Sequence, residues 1–128
     1  MYCFQEYEHN GTNATSGDSY TSSKFNINGL QPSTTNPLGN PTIGQGTSSK
    51  GPNYLAYLTT TYNSTLTYTF DFAQSGATVT QKLTPVNPIS FEDQVGQLFT
   101  PKYSSKPADV APWTSQNAIF AIFIGINE

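Results

Sequence analysis

Residues 118–126 read Ala-Ile-Phe-Ala-Ile-Phe-Ile-Gly-Ile, an unbroken apolar run. A strand covered on both faces in a parallel sheet has this kind of sequence, because helices pack on both sides of it. Residues 66–72 instead alternate apolar and polar side chains, which predicts a half-buried strand. The chain is therefore expected to contain a sheet with a buried strand near its last residues.

Two helices are predicted beside these strands. Asn53 is a candidate N-cap for a short helix that ends before the β-branched run at 59–61. Ser90, followed by an acid at Asp93, resembles a capping arrangement and predicts a helix over about 90–100, which Pro101 is expected to end. The order strand, helix, strand predicts a parallel α/β fold, whose ligands gather at the carboxyl ends of strands.

The first 50 residues show little regular patterning. Residues 1–16 have neither helical nor strand periodicity, and the polar run at 10–16 predicts a loop, so we expect a disordered leader. Residues 25–50 are crowded with proline and glycine, which predicts a long ordered loop or a linker. Loops of this length are uncommon inside compact domains and are usually functional.

Composition excludes several classes of function. The 128 residues fit one domain, and five basic against eight acidic residues leave a net charge of −3. A nucleic-acid-binding protein needs a dense basic stripe, which is absent here. One cysteine, Cys3, cannot form an internal disulfide, and one histidine, His9, cannot build a multi-histidine metal site.

Other features concern the cellular location. The chain opens without the basic and apolar regions of a signal peptide, and no run approaches the roughly 18 apolar residues of a membrane span. Three glycosylation acceptor motifs occur at Asn10, Asn13 and Asn63, in a chain dominated by Thr, Ser, Asn and Gly. This composition and these motifs predict an extracellular protein.

Three short segments carry groups that acyl transfer would use. In Gly17-Asp-Ser-Tyr20 a tight turn would project the hydroxyl of Ser19. Residues 71–78 stand at the end of a predicted strand and contain Gly76, whose backbone N–H is accessible. Asn127 places a carboxamide just after the apolar run. Each segment alone is typical of an ordinary turn or strand end.

Taken together and in this order, the three segments resemble the first three sequence blocks of the SGNH hydrolases, the serine esterases also called the GDSL family. Longer stretches are similar to the fungal carbohydrate esterase family 16 acetylesterases, namely Gly17-Asp-Ser-Tyr-Thr-Ser-Ser-Lys-Phe-Asn26, Asn36-Pro-Leu-Gly-Asn-Pro41, Gly51-Pro-Asn-Tyr54 and Ala121-Ile-Phe-Ile-Gly-Ile-Asn127. The resemblance covers only the amino-terminal half of such an enzyme. It implies a truncated, partial three-layer α/β/α, flavodoxin-like fold over residues 17–128, with residues 1–16 unmatched.

The resemblance also implies roles for individual residues. Ser19 matches the nucleophile that attacks an ester carbonyl. Gly76 and Asn127 match oxyanion donors that act beside the backbone N–H of Ser19. The implied reaction removes O-acetyl groups from plant-wall sugars such as xylo-oligosaccharides, outside the cell, with neither a metal nor an organic cofactor.

The chain departs from the family pattern in three places. The family carries its histidine base and orienting acid on an Asp-x-x-His block, and this chain ends before that block, so we expect weak or no activity from it alone. His9 precedes the nucleophile and is interpreted as a surface histidine. Residues 9–16 are polar where the family has an apolar strand, and Glu128, where the family has Asp, would oppose an anionic intermediate.

Other interpretations of the sequence remain open. The chain could be a non-catalytic carbohydrate-binding or cell-surface interaction module, with sugar rings stacking on Tyr54, Tyr57, Tyr62 or Trp113, although such aromatic residues more often belong to the core or its rim. It could also be a truncated gene model without independent function. Glu92 and Asp93 are interpreted as helix-start acids. An uncovered strand at 118–126 predicts self-association.

Overall fold

A parallel sheet of three strands, in the order β2-β1-β3, organises the computed structural model of the chain. The structure describes residues 10–82, 89–105 and 113–128. The strands are β1 (Gly11–Gly17), β2 (Thr67–Asp71) and β3 (Ala118–Phe123). The sheet and its helices are compatible with a partial α/β fold.

The central strand β1 corrects two expectations from the sequence. The loop predicted over 10–16 is wrong, and residues 11–16 belong to the sheet rather than to a disordered leader. Hydrogen bonding explains how a polar segment occupies the centre of the sheet, because the backbone of β1 pairs along both edges. The buried Thr15 hydroxyl also lies 3.4 Å from the Phe70 carbonyl and 3.3 Å from Asp71 Oδ1. Threonine also suits extended backbone, because its side chain branches at Cβ. Residues 1–9 lie outside the described residues.

Strand β2 is confirmed, but its half-burial is wrong at the carboxyl end, where both faces are covered. On one face Phe70 and Phe72 lie in the main apolar cluster, whose other buried members are Ala14, Phe25 and Tyr103. On the other face Thr69 is buried against the first helix, with its hydroxyl 2.6 Å from that of Thr59. The outer edge of β2 is also occupied, because the N–H of Thr69 donates to the Pro37 carbonyl at 2.9 Å.

The Pro37 contact belongs to the long loop over 25–50, which is ordered against the rest of the chain. Phe25 and Leu38 are buried, and the Asn40 side chain ties the loop together by donating to the carbonyls of Asn26 and Leu30. Residues 25–50 therefore form a long ordered loop that covers the outer edge of β2.

The expectation that β3 is covered on both faces is wrong for this chain. Strand β3 is at the edge of the sheet, and Ile119, Phe120, Ile122 and Phe123 are 41–58% exposed. On one face Phe120 touches Phe99 and Trp113, while on the other Phe123 touches Tyr20 and Tyr54. Each face is thus covered only on the side that points toward β1.

Helix α1 (Tyr54–Thr60) starts as predicted, with the side chain of Asn53 accepting from the N–H of Ala56. It runs two residues further than expected. The hydroxyls of Thr59 and Thr60 donate to carbonyls one turn back, at 2.6 and 2.8 Å, so these β-branched residues are satisfied inside the helix.

The second helical region begins at the predicted capping box of Ser90 and Asp93. It consists of α2 (Phe91–Asp93), a π-helical segment (Gln94–Phe99) and α3 (Thr100–Tyr103). Pro101 does not end it, because this proline stands in the first turn of α3, where a missing N–H costs little. The region buries Tyr103 against Phe70 and Phe72.

Candidate active site

The three segments singled out in the sequence come directly after three adjacent parallel strands. Strand β1 leads into Ser19, β2 into Gly76 and β3 into Asn127. Because the carboxyl ends of parallel strands meet at one edge of a sheet, the fold brings these segments to the same edge. Their chemical roles stay predictions, but their common location is what those roles require.

A tight turn presents Ser19 directly after β1. The carbonyl of Asp18 accepts from the N–H groups of Thr21 and Ser22, at 3.2 and 2.9 Å, and Asp18 Oδ1 accepts from the N–H of Tyr20 at 3.0 Å. Asp18 is fully buried, whereas Ser19 is half-buried. The buried Asp18 side chain therefore holds the turn together, while the Ser19 side chain stays partly exposed.

Gln94 holds the end of β1, a role that the sequence patterns do not reveal. Its side chain is fully buried, with Oε1 accepting from the Gly17 N–H at 3.0 Å and Nε2 donating to the Gly17 carbonyl at 2.7 Å. The amide thus pairs with Gly17 as a neighbouring strand would. Gln94 opens the π-helical segment, and such widened turns frequently mark functional sites. Glutamine in a predicted helix gives no sequence signal for this contact.

The second segment contacts both the first and the third. The N–H of Gln74 donates to the Gly17 carbonyl at 3.1 Å, and Asn127 Nδ2 donates to the Ala77 carbonyl at 2.9 Å. Gly76 has a φ of +81°, a backbone conformation that glycine adopts without strain. The Ala77 contact uses one of the two N–H bonds of the Asn127 amide, and the other can donate elsewhere.

The carboxylate of Glu128 lies beside the second segment. Its Oε1 accepts from the N–H of Val79 at 2.7 Å. The expectation that this carboxylate opposes an anionic intermediate stays a prediction.

Asp71, at the carboxyl end of β2, is a second group whose role was not predicted from the sequence. It is fully buried and accepts from the N–H and hydroxyl of Ser23, both at 2.7 Å, and from the N–H of Ala73 at 3.1 Å. Burial raises the pKa of Asp71 to about 6, although its hydrogen bonds to Ser23, Ala73 and Thr15 oppose the shift. The carboxyl ties the backbone after Ser19 to β1 and β2.

Substituting Asp71→Asn is expected to change how stability depends on pH. The folded pKa of about 6 lies above the ordinary 3.8, so the folded chain retains the proton over this interval. The contribution of Asp71 is fully present below pH 3.8 and is lost as the pH rises through about 6, a difference of roughly 3 kcal/mol. Urea unfolding at about pH 4 and about pH 7.5 measures it. Equal pH dependence in both proteins would contradict this assignment.

The glycosylation acceptors occupy three different environments. Asn10 is exposed before β1, Asn13 is half-buried within the central strand, and Asn63 Nδ2 donates to the carbonyls of Thr59 and Thr65 at 2.8 Å. Modification at these positions stays a prediction.

The other residues considered for sugar stacking or chemistry lie in different parts of the chain. Trp113 is partly buried and packs against the main apolar cluster, whereas Tyr54, Tyr57 and Tyr62 are exposed on or after α1. Glu92 lies at the start of α2, and its Oε1 is 3.8 Å from Lys82 Nζ. Cys3 and His9 lie outside the described residues.

The described ranges contain neither a metal cluster nor a membrane helix. Over 10–82, 89–105 and 113–128, no group of three or more His, Cys, Asp or Glu side chains is placed to hold a metal ion. Within the same ranges, no helix has the length and apolar character needed to cross a membrane.

Comparison with known proteins finds one relative, an esterase by name. The chain is 40% identical over 117 residues to a curated protein named acetylesterase from Thermothelomyces thermophilus. The match covers 89% of this chain but 38% of that protein, so the chain spans less than two-fifths of its relative. No family model and no solved structure matches the chain. The identity over most of the chain supports an esterase relationship.

Proposed function

We propose that the chain forms part of a serine acetylesterase in which Ser19 is the nucleophile. The observation that carries the proposal is the meeting of the Ser19, Gly76 and Asn127 segments at one sheet edge, in a chain related to an acetylesterase. Ser19 Oγ gives its proton to a base and forms a bond to the acetyl carbon, and the ester C–O bond breaks as the alcohol leaves with that proton. Water then cleaves the acetyl–Ser19 bond, which restores the hydroxyl and releases acetate.

The negative charge of the tetrahedral intermediate needs donors that are already in place. The proposed donors are the backbone N–H groups of Ser19 and Gly76 and the second Nδ2–H of Asn127. Oxyanion donors of this kind contribute about 10²–10³ each to turnover. The contacts of Gly17 with Gln94 and Gln74, and of Asn127 with Ala77, support this role because they fix the three segments relative to one another.

The finer assignment rests on the sequence resemblance. We propose membership of the SGNH hydrolases, close to the carbohydrate esterase family 16 acetylesterases, with O-acetyl groups on xylo-oligosaccharides as substrate and an extracellular location. The exposed ring of Tyr20, next to Ser19, supports a sugar substrate, because exposed aromatic rings offer a stacking surface.

Ester hydrolysis by this chain is expected to need an added base. The chain's single histidine, His9, precedes Ser19 and is interpreted as a surface histidine. Release of 4-nitrophenol from its acetate ester should therefore stay near background, and millimolar imidazole should raise it by supplying a proton acceptor. Ser19→Ala should remove this increment, and Asn127→Ala should reduce it by about 10²–10³. Initial rates of the three proteins in matched buffer and imidazole measure the effect.

Imidazole also hydrolyses the ester by itself, so the Ser19→Ala protein provides the blank. An increment of equal size in wild type and Ser19→Ala would contradict the nucleophile assignment. Robust turnover by the wild-type chain without imidazole, abolished in Ser19→Ala, would show that the base is already present.

A non-catalytic carbohydrate-binding function is the second candidate. Tyr57 and Tyr62 support it, since both rings are exposed, with centroids 6.2 Å apart and planes inclined at 35°. Binding to acetylated xylan that is unchanged in Ser19→Ala and Asn127→Ala, but weakened in Tyr57→Ala, would favour this candidate.

We also propose that the chain self-associates when β3 has no other partner. The exposed edge and apolar faces of this strand support the proposal, because unpaired strand edges are templates for pairing with another chain.

A further inference from the structure

The side chain of Gln94 continues the sheet at the point where β2 ends. Alternate residues of β1 face β2, among them Thr15, whose carbonyl accepts from the N–H of Phe72 at 2.8 Å. Gly17 is the next residue of β1 with this orientation, and it lies beyond the last paired residues of the two strands. Its N–H donates to Gln94 Oε1 at 3.0 Å, and its carbonyl accepts from Gln94 Nε2 at 2.7 Å. Gln94 therefore supplies an acceptor and a donor that a longer β2 would supply.

The contact between residues 17 and 94 depends on the chemistry of the amide. The side chain of glutamine carries both an acceptor and a donor, whereas an ionised carboxylate only accepts and an ammonium or guanidinium group only donates. Asparagine has the same amide but is shorter by one carbon. A side chain of similar volume without the amide would leave the N–H of Gly17 buried and without this acceptor.

Gly17 links the three segments of the candidate active site. Ser19 follows it by two residues in the first segment. The Gly17 carbonyl also accepts from the N–H of Gln74, which precedes Gly76 in the second segment. On its other edge Gly17 pairs with Phe123 at the end of β3, which leads to the third segment. A displacement of Gly17 would therefore move Ser19 relative to both other segments.

The helical turn that carries Gln94 is itself attached to the second segment. The N–H of Phe91 donates to the Thr78 carbonyl at 2.8 Å, and the N–H of Gln94 donates to the Ser90 carbonyl at 2.9 Å. The capping box described above holds this turn at its start. Gln94 thus joins Gly17 to the second segment through one helical turn.

We infer that Gln94 is a positioning residue for the nucleophile, an inference that rests on the proposed esterase function. Through Gly17, Gln94 sets where the hydroxyl and N–H of Ser19 lie relative to the N–H of Gly76. The side chain of Gln94 is fully buried, so its effect on the reaction passes through the backbone of Gly17. Such alignment matters for the rate, since a displacement of about 1 Å can cost about 10²-fold.

Gln94→Met and Gln94→Asn test the inference in two ways. Methionine fills a similar volume without the amide, whereas asparagine keeps the amide and draws it back from Gly17. Either change should speed hydrogen exchange at the Gly17 N–H by at least about tenfold and shift the NMR signal of the Ser19 N–H, while the amides of α1 keep their protection. Gln97→Met is the matched control, because Gln97 is exposed in the same π-helical segment, and it should leave Gly17 unchanged.

The same variants are compared in the imidazole-dependent assay with the acetate ester. The part of the rate that depends on Ser19 should fall by about 10–10²-fold in kcat with little change in KM, because the reacting group moves while Gln94 binds no part of the ester. Rates are divided by the folded fraction from circular dichroism, so a loss of stability alone would leave them unchanged. Gln97→Met should retain the wild-type values.

The inference fails if both Gln94 variants keep the wild-type exchange at Gly17, or if both keep the wild-type rate per folded molecule. It also fails if neither variant folds, because Gln94 would then be a residue of the core alone. The esterase proposal is judged separately by the Ser19→Ala blank. Faster exchange at Gly17 and a shifted Ser19 signal, in a chain whose wild type shows no Ser19-dependent rate, would reject the nucleophile and retain the control of the Ser19 turn by Gln94.

Discussion

Replacing Phe70 with alanine is expected to lower the free energy of unfolding by about 3–5 kcal/mol. The ring is 1% exposed and lies at the meeting point of three parts of the chain. Its centroid is 6.3 Å from that of Phe25, 5.4 Å from Tyr103 and 5.3 Å from Trp113. A truncation here leaves a cavity between the long loop, the second helical region and the sheet.

Urea unfolding monitored by the fluorescence of Trp113, the single tryptophan, measures this loss. Leu30→Ala is the control, because Leu30 is an exposed apolar side chain, and it should change stability by no more than about 0.5 kcal/mol. Small domains are stable by only about 5–15 kcal/mol, so Phe70→Ala should remove a large part of the total. Similar effects of the two substitutions would show that Phe70 is not central to the core.

Gly17→Ala is the other substitution with a large expected effect, roughly 3 kcal/mol, at the upper end for overpacked sites. An added Cβ would lie 2.3 Å from the backbone oxygen of Phe123 and 3.0 Å from Thr21 Oγ1. Backbone cannot swing aside as a flexible side chain would, so β1 and β3 must separate at their carboxyl ends. The same movement would shift the Ser19 segment, which follows β1, relative to the Asn127 segment, which follows β3.

Gly96→Ala provides a matched control for this prediction. Gly96 is exposed in the π-helical segment, and an added Cβ meets nothing within 4 Å. Alanine has the higher helix propensity, so this change should stabilise the chain by up to about 1 kcal/mol. Thermal unfolding of both variants gives the comparison, and a stable Gly17→Ala protein would contradict the close approach of β1 and β3.

Local signals in the sequence predicted part of the fold correctly. The side chains of Asn53 and Ser90 cap helices because their oxygens accept hydrogen bonds from nearby N–H groups, a contact confined to four residues. Strand β2 was likewise visible from its own alternation. Such features depend on neighbours in sequence and are readable without the rest of the chain.

Strand β1 could not be predicted, because its burial depends on partners far along the chain. Nothing within 11–17 is strongly apolar, and the strand is held by pairing with β2 and β3 and by the Thr15 hydroxyl. The prediction of a covered β3 failed for a related reason. Its apolar sequence is typical of a strand buried on both faces, whereas the described residues cover only the part of each face that is nearer to β1.

The site was predictable in outline only. The Ser19, Gly76 and Asn127 segments were identified from the sequence, and the parallel order of the strands places them at one edge. Gln94 and Asp71 act through buried contacts with distant backbone, which no local pattern encodes. Asp71 did offer a signal, since a carboxylate between two phenylalanines of a predicted strand must find partners when that strand is buried.

The sheet order also has a consequence for synthesis on the ribosome. The middle strand is the first to emerge, but its partner residues around Ala118 emerge roughly a hundred residues later. At the usual 5–20 residues per second, this delay lasts roughly 5–20 s. Throughout that time one edge of the middle strand lacks the partner that it has in the folded chain. Its polar threonines and asparagines, unlike an apolar strand in the same position, keep that segment hydrated until β3 emerges.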